Sequence, residues 1–309
     1  MIKIQQNIEL KELTTFKIGG PADFFVIARQ PDELLEALHW AKERNLKTFT
    51  LGGGSNLLFP DEGFRGLVIK TDLTDLKIDG QLARVGAGCQ VADLIEQTLG
   101  QNLVGLEFLA GIPGTVGGAV RGNAGTYGID IASVIRKIFF IDDQLQTREV
   151  VPQLAGFKYR HSFFKDNNYY ITEVLLELNN GDVTKSRQLI EERLALRHKG
   201  HPSEPSAGCI FKNILFENVN LDKLKALELD LTPFENYKKI PAGFLIDKLG
   251  LKGKQIGGAQ VSPKHGNYII NTGQATAKDV ITLISLIKQQ VRDAYGIQLE
   301  EEAQLVYNS

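Results

Sequence analysis

The sequence predicts an α+β protein of more than one domain, and three observations carry that reading. At 309 residues the chain exceeds the roughly 250 to 300 at which single hydrophobic cores stop growing. Strand and helix signals mix along it but do not alternate as one long series of crossover units, which disfavours a single doubly wound sheet. Two glycine-rich segments also lack the marks of the common nucleotide folds: no G-x-G-x-x-G follows a strand, and no G-K-[ST] ends either loop. A Rossmann domain and a P-loop kinase both lose ground.

The elements follow in order. Ala22 to Ala28 is rich in aromatic and β-branched residues and reads as a strand. Pro31-Asp-Glu then begins a helix with Leu34, Leu35, Leu38 and Ala41 on one stripe. Thr48 to Leu51 and Leu67 to Lys70 are short strands. A strand at Leu82 to Gly86, a helix around Val91 to Leu99, and strands near Val134 to Ile141 and Ile171 to Leu178 suggest a second α+β unit. A helix from about Lys185 to His198 follows Thr184 as its cap, and the breakers of Lys199-Gly-His-Pro-Ser-Glu-Pro-Ser206 end it and make a linker. Beyond lie a strand at Cys209 to Asn213, a helix at Ala242 to Leu249 stopped by Gly250, and a strand at Asn267 to Asn271. A long helix starts at Thr276, whose hydroxyl can cap the amide of Asp279, and ends at Gly296, and the tail Gln298 to Tyr307 reads as a returning strand.

Composition narrows the function. A hydrophobic content of 43%, a charged content of 23% and a net charge of -2 carry no basic footprint, so nucleic acid is not an expected partner. No apolar stretch approaches the ~20 residues of a membrane span, and Met1-Ile-Lys-Ile-Gln-Gln lacks a signal-peptide pattern, so a cytoplasmic protein without a membrane partner is expected. The two cysteines, Cys89 and Cys209, stand far apart with neither ligand spacing nor a disulfide framework, which fits a reducing compartment. His198 and His201 have helical-ligand spacing only if a helix persists through Gly200 and Pro202, so no metal site is expected there.

The segment from Gly111 to Gly128 holds seven glycines and almost no side chain able to do chemistry, so its use lies in the backbone. Leu51-Gly-Gly-Gly-Ser-Asn-Leu-Leu58 closes a short apolar run with the same composition. Glycine permits positive φ and close approach, and consecutive amides can converge on an anion. Two such loops therefore imply walls for an extended cofactor carrying a pyrophosphate, against the plainer reading that both are tight turns. Polar groups able to act on a substrate cluster in four other places: Tyr159-Arg-His-Ser-Phe-Phe164, Pro205-Ser-Ala-Gly-Cys-Ile-Phe-Lys-Asn213, the carboxylates of Leu299-Glu-Glu-Glu302, and Gly257 to Asn267. An arginine flanked by aromatics has its charge strengthened by exclusion of water. A lone thiol, by contrast, is commonly buried and inert.

Taken in order, these segments resemble the UDP-N-acetylenolpyruvoylglucosamine reductase family, the flavoenzymes that complete muramic acid in bacterial cell-wall synthesis. The likeness runs nearly end to end. It is carried by Thr15-Phe-Lys-Ile-Gly-Gly-Pro-Ala22, Gly52-Gly-Gly-Ser-Asn-Leu57, Gly111-Ile-Pro-Gly114, Asn123-Ala-Gly-Thr-Tyr-Gly128, Tyr159-Arg160, Pro205-Ser-Ala-Gly208, Phe211-Lys-Asn213, Ala242-Gly-Phe-Leu-Ile-Asp247 and Leu251-Lys-Gly253. The resemblance implies an FAD-binding fold of the vanillyl-alcohol-oxidase (PCMH) type with two α+β subdomains, 1–72 rejoined by 297–309 and 73–200. A substrate-binding α+β domain at 201–296 closes over the sugar nucleotide. It implies noncovalent FAD held by Gly52, Gly53, Gly54, Ser55, Asn56 and Leu57 and by Gly111, Ile112, Pro113, Gly114, Thr115, Gly118, Asn123 and Ala124.

Under this resemblance NADPH, as co-substrate, reduces the flavin and leaves, and UDP-N-acetylglucosamine enolpyruvate then accepts hydride on its β-carbon. Arg160 and Glu302 match the positions that stabilise the enolate, and the residue after Gly208 is the proton donor. The family most often has serine there; this chain has Cys209. A thiol, which ordinarily titrates near ~8.5, is mostly protonated at neutral pH yet gives its proton up readily, though it is open to oxidation. Glu301 stands where proline is common. Tyr127 lies by the flavin wall, and Lys212, Asn213 and His265 fall at or beside positions that contact the UDP-sugar. The short stretch between Arg160 and Cys209 resembles the compact branch without an inserted lid. A monomer is expected. The alternatives are a flavin-dependent sugar or alcohol oxidase of the same fold, although neither glycine loop holds the histidine or cysteine of a covalent flavin, and a non-catalytic nucleotide-binding module.

Overall fold

The computed structural model describes residues 2–308. The chain divides into two compact units: one takes the chain up to Ile8, Ala22–Gly54 and Phe64–Lys199, and the other takes Glu9–Pro21, Ser55–Gly63 and the chain from Gly200 onward.

The first unit holds two sheets. Strands Pro21–Ala28, Phe64–Thr71 and Thr48–Leu51 run parallel with Phe64–Thr71 between the other two, and Gln5–Glu9 flanks the first. The central strand is apolar without alternation, Leu67, Val68 and Ile69 all fully buried, as a parallel strand covered on both faces requires. Helix Pro31–Glu43 starts with proline in its first turn and lays Leu34, Ala37, Leu38 and Ala41 on Val26, Ala28, Leu67 and Ile69. Leu35, expected on that stripe, is only partly buried. The second sheet is antiparallel in the order Thr147–Val150, Ile135–Ile141, Tyr170–Glu177, Leu82–Gly86, Leu76–Asp79. Helix Val91–Leu99 shares one core with it through Leu94, Ile95 and Leu99.

Two expectations in this unit need correction. The long glycine segment is not loop throughout: Val116–Gly122 is a helix, because Thr115 accepts the Gly118 amide at 3.4 Å and Asn123 ends the turn at a left-handed φ of 45°. Its glycines serve close packing, since a Cβ at Gly117 would meet the Ala87 Cβ at 2.9 Å. The later helix spans Val183–Gly200 and not Lys185 to His198. Its cap is Asp182, which accepts the amides of Thr184 and Lys185 at 3.0 and 3.1 Å, and it stops two residues short of Pro202. His198 is helical and His201 is not.

The second unit centres on an antiparallel sheet in the order Ser206–Cys209, Tyr268–Asn271, Ala259–Val261, Gln255–Ile256. Helix Ala277–Tyr295 buries Val280, Leu283, Ile284, Ile287 and Val291 in its core. The Thr276 hydroxyl and the Asp279 carboxylate form the reciprocal cap at its start, and Gly296 at φ 69° ends it, as the sequence indicated. Helix Ala242–Lys248 packs Ala242, Leu245 and Ile246 into the same core.

The strand expected at Cys209 to Asn213 lies earlier, at Ser206–Cys209, because the chain changes partner at Ile210. Ile210 still donates to the Asn267 carbonyl at 2.8 Å, but Lys212 donates to Glu300 at 2.9 Å and Phe211 bridges Glu301. The tail is correspondingly broken: after that bridge only Gln304–Leu305 is strand, parallel to Leu57–Leu58. Among the described residues no helix is long and apolar enough to cross a membrane.

Candidate active site

In the first unit the two glycine loops meet. Strand Thr48–Leu51 runs into Gly52-Gly53-Gly54, with Gly54 at φ 65°. A Cβ on Gly53 would fall 2.6 Å from the Gly114 Cα, and one on Gly52 would fall 2.5 Å from Thr115 Oγ1. Main chain lies against main chain, and no side chain larger than hydrogen fits. The arrangement is fixed from behind, where Thr71 Oγ1 donates to the Leu51 carbonyl at 3.3 Å and the Lys70 ammonium donates to the Gly52 carbonyl. Burial lowers the Lys70 pKa against the opposing pull of Asp72. On the other loop, Gly114 accepts from Val91 at 3.0 Å, Ile112 donates to Leu109 at 3.0 Å, and Gly111 sits at φ 72°. A Cβ on Gly111 would meet Arg197 Cδ at 2.6 Å. Walls of bare backbone, with Pro113 and Thr115 among their few side chains, fit a flat, extended, phosphorylated cofactor.

Asn123 is buried and fully engaged. Its amide donates to Asp130 at 2.9 Å and to the Lys158 carbonyl at 3.0 Å, and its oxygen accepts from Ala132 at 3.3 Å. It thus ties the end of the glycine segment to the turn that carries Arg160, while Ala124 accepts from Ile131 at 2.9 Å. That turn is a tight hairpin in which Lys158 and His161 exchange two backbone hydrogen bonds of 3.0 Å, with Arg160 held at φ 56°. A bulky residue there is strained, and such strain gathers where a side chain must be aimed. The guanidinium donates to the Gly125 carbonyl at 2.9 Å and sits 5.4 Å from the Tyr159 ring. Tyr127, at φ 55° and 52% exposed, carries the Arg193 guanidinium over its ring at 4.7 Å.

In the second unit Asn56, Cys209 and Glu302 are brought together by backbone. The Ile210 carbonyl, one residue past Cys209, accepts from Glu302 at 2.7 Å and from Ala303 at 3.2 Å. Asn56 Nδ2 donates to the Glu302 carbonyl at 3.0 Å, and Gln304 donates to the Asn56 carbonyl at 3.0 Å. Ser55 and Leu57 flank Asn56 in the same strap. Gly208, at φ 76°, is where one extra residue bulges the strand, so that Ser206 pairs with Ile270 and Cys209 with Tyr268. Cys209 is half-buried, whereas Cys89 is buried, its thiol pushed up to about 11 by burial and by Asp93. Lys212 pairs with Glu300 at 3.1 Å, and Asn213 accepts the first amide of helix Ala242–Lys248 at 3.3 Å. His265 lies against the same helix end, 3.2 Å from where a Gly243 Cβ would be; burial and Lys252 hold its pKa below the ordinary value.

Residues 22–143 match the FAD binding domain family, and residues 201–306 match the family described as UDP-N-acetylenolpyruvoylglucosamine reductase, C-terminal domain. The UDP-N-acetylenolpyruvoylglucosamine reductase of Bacillus subtilis is 36% identical over 308 residues, 98% of this chain and 94% of its own length. This chain belongs to the UDP-N-acetylenolpyruvoylglucosamine reductase family. The protein of the same name from Halalkalibacterium halodurans is likewise 36% identical, over 98% of this chain and 94% of its own. The crystal structure of the reductase from Thermus caldophilus superposes with a TM-score of 0.77 at 32% identity, over 99% of this chain and 98% of that one.

Family membership establishes the α+β class with an FAD-binding domain, and it sets aside the oxidase alternative, since full-length relatives of the chain are reductases. The structure gives the Glu301 carboxylate a partner: it pairs with Lys288 of the long helix at 2.7 Å. Sequence reasoning passed over Asn267, 3% exposed, which holds the Phe211 amide at 2.9 Å and the Phe211 carbonyl at 2.8 Å. It also passed over Lys70, whose place within an apolar strand beside a glycine loop was the available signal.

Proposed function

We propose that this enzyme uses NADPH to reduce the enolpyruvyl group of UDP-N-acetylglucosamine enolpyruvate, giving UDP-N-acetylmuramate for peptidoglycan synthesis, with Cys209 as proton donor. What supports the reading is a family likeness over 98% of the chain, combined with the hydrogen bond from the Glu302 amide to the carbonyl of Ile210, the residue after Cys209. The three-part division, with 1–72 rejoined by 297–309 and with 73–200 holding FAD and 201–296 holding substrate, belongs to the same proposal. So do a cytoplasmic location and a monomeric state.

The cradle of Gly52, Gly53, Gly54, Gly111, Ile112, Pro113, Gly114 and Thr115 is where FAD would lie, and Ser55, Asn56, Leu57, Gly118, Asn123 and Ala124 are assigned to it through their family positions. When bound, FAD supplies hydride transfer, taken from NADPH and given to the enolpyruvyl β-carbon. Hydride arrival places negative charge on the substrate's carboxyl-bearing carbon. Arg160, already oriented by the Gly125 carbonyl, supplies a preorganised cation for that charge, a contribution on the order of 3 to 4 kcal/mol by analogy with single oxyanion donors. Glu302 is assigned to the same enolate through its family position. Cys209 then gives the Sγ proton to the α-carbon: the S–H bond breaks, a C–H bond forms, and a thiolate remains. Tyr127, Lys212, Asn213 and His265 are assigned to the sugar nucleotide.

The test is anaerobic. Enzyme reduced by NADPH is mixed with UDP-N-acetylglucosamine enolpyruvate and reoxidation is followed by absorbance; its absence would refute the assignment. Cys209→Ala should leave reduction by NADPH nearly intact and slow reoxidation by about 100- to 10,000-fold, the usual contribution of general acid catalysis. Cys209→Ser should retain substantial turnover. Equal loss in both half-reactions would mark Cys209 as structural.

A further inference from the structure

Tyr268 and His201, titratable groups to which the reaction above gives no role, lie close to the strand end that carries the proton donor. Cys209 and Tyr268 are paired across antiparallel strands, so their side chains leave the sheet on one face, with Cβ atoms about 4.5 to 5.5 Å apart in such pairs. Tyr268 is only 9% exposed. Its hydroxyl lies 3.1 Å from His201 Nδ1, a bond that can run in either direction according to the imidazole's protonation. The Tyr268 ring centre stands 5.1 Å from that of His201 and 4.9 Å from that of His265, and the two imidazoles stand 5.4 Å apart. Three titratable rings thus form one contact group, of which Tyr268 alone lies on the strand paired with Cys209.

The two histidines are not equivalent. His265 Nδ1 accepts the Asn267 amide at 3.2 Å, which places the proton of the neutral ring on Nε2. Burial and the Lys252 ammonium disfavour its charged form, although Asp247, paired with Lys252 at 2.8 Å, opposes them. His265, already assigned to the sugar nucleotide, is thus biased toward its neutral form and is not the ring bonded to the tyrosine hydroxyl. His201, on the segment between the long helix and strand Ser206–Cys209, is the ring hydrogen-bonded to the tyrosine.

We propose that Tyr268 and His201 form a proton-return path that reloads Cys209 after each turnover. The proposal rests on Cys209 being the donor. After product forms, the Tyr268 O–H bond breaks and its proton restores the Cys209 S–H bond; a His201 N–H bond breaks to restore the phenol, and water reprotonates His201. No electrons move in these steps. A phenol is an intrinsically weaker acid than a thiol, so Tyr268 passes its proton on only if His201 refills it in the same event. The Tyr268–His201 hydrogen bond provides that coupling.

The variants are Tyr268→Phe, which keeps the ring and removes the hydroxyl, and His201→Gln, which keeps polar hydrogen bonding but cannot carry the proton. Because the resting thiol is already loaded, a single reoxidation of NADPH-reduced enzyme should stay within about twofold of wild type, whereas steady-state turnover in weak buffer should fall at least tenfold. That is short of the roughly 100- to 10,000-fold of an acid acting directly. Added imidazole should restore the His201→Gln rate. Without any turnover, the pH midpoint of iodoacetamide reaction at Cys209 should rise in Tyr268→Phe, since the thiolate loses a hydrogen-bond donor. Unchanged steady-state turnover, equal slowing of the single reoxidation, or an unmoved alkylation midpoint would each overturn the path. Cys209→Ala separates the two ideas: if it fails to slow the single reoxidation, the donor assignment itself is wrong, whatever Tyr268→Phe does.

Discussion

Gly53→Ala tests the cofactor cradle at the point where its two loops come closest. The added methyl would lie 2.6 Å from the Gly114 Cα, 3.3 Å from the Gly114 carbonyl carbon and 3.4 Å from the Thr115 nitrogen. Carbon atoms rest at about 3.5 to 4.0 Å, so the loops must part by about 1 Å, and no rotamer change relieves the clash because all three neighbours are main chain. Overpacking of this kind costs about 1 to 3 kcal/mol. Without cofactor the loops can relax apart and release the strain; with FAD bound they cannot, so the penalty falls on the bound state. At about 1.4 kcal/mol per tenfold, FAD affinity should weaken by about 5- to 150-fold. The assay is fluorescence titration of apoprotein with FAD, alongside thermal melting of the apoprotein. Gly122→Ala is the control: its methyl meets nothing within 4 Å, and it should keep or raise apoprotein stability by up to about 1 kcal/mol. A folded Gly53→Ala protein that binds FAD within twofold of wild type would show that the loops do not act as a cofactor wall.

Two further perturbations probe the frame around the site. Asn267→Ala strips both hydrogen bonds from the buried Phe211 main chain and should lower stability by about 2 to 4 kcal/mol in denaturant titrations; a loss under 1 kcal/mol would mean that the Phe211 groups find other partners. Acid should also weaken the fold through two carboxylates. The Arg148 guanidinium and the amides of Gln146 and Gln144 hold Asp142 below the ordinary range, and the amides of Thr276 and Gly258 do so for Asp279. Depressed folded values mean that their stabilisation is fully present above the unfolded value near ~3.9 and is lost as pH falls through the folded one. Melting temperatures between pH 5 and pH 2 should therefore fall less steeply in an Asp142→Asn, Asp279→Asn double variant, and equal slopes would contradict the attribution.

The long elements were legible because their signals are local. Proline at the start of Pro31–Glu43 and the Thr276–Asp279 and Gly296 caps around Ala277–Tyr295 need no knowledge of distant residues. Edge strands Leu76–Asp79 and Thr147–Val150 escaped notice because they stay half-exposed or exposed and show no buried alternation. Helix Val116–Gly122 was hidden by its own composition: glycine argues against helix when counted alone, and only contact with Ala87 explains why it is tolerated. The end of strand Ser206–Cys209 was misplaced for a related reason. Apolar residues continue past Cys209 through Phe211, but the hydrogen-bond partner changes from the Tyr268–Asn271 strand to the tail some ninety residues on in sequence, which no local pattern records.

The candidate site divides along the same line. Its glycine-lined loops could be read from composition because what they present is backbone, and glycine is how a sequence exposes backbone. The proposed roles of Arg160, Cys209 and Glu302 could not, because no local pattern in the sequence marks them and they were assigned by family resemblance. What the structure adds is the reason two of them travel together. The Glu302 amide binds the Ile210 carbonyl, the Asn56 side-chain amide binds the Glu302 carbonyl, and the Gln304 amide binds the Asn56 carbonyl, so the end of the first glycine loop, the thiol strand and the tail are laced together, every link but that of Asn56 Nδ2 being main chain to main chain. Main-chain bonds are indifferent to side-chain identity. A serine or a cysteine after Gly208 would therefore be presented in the same place.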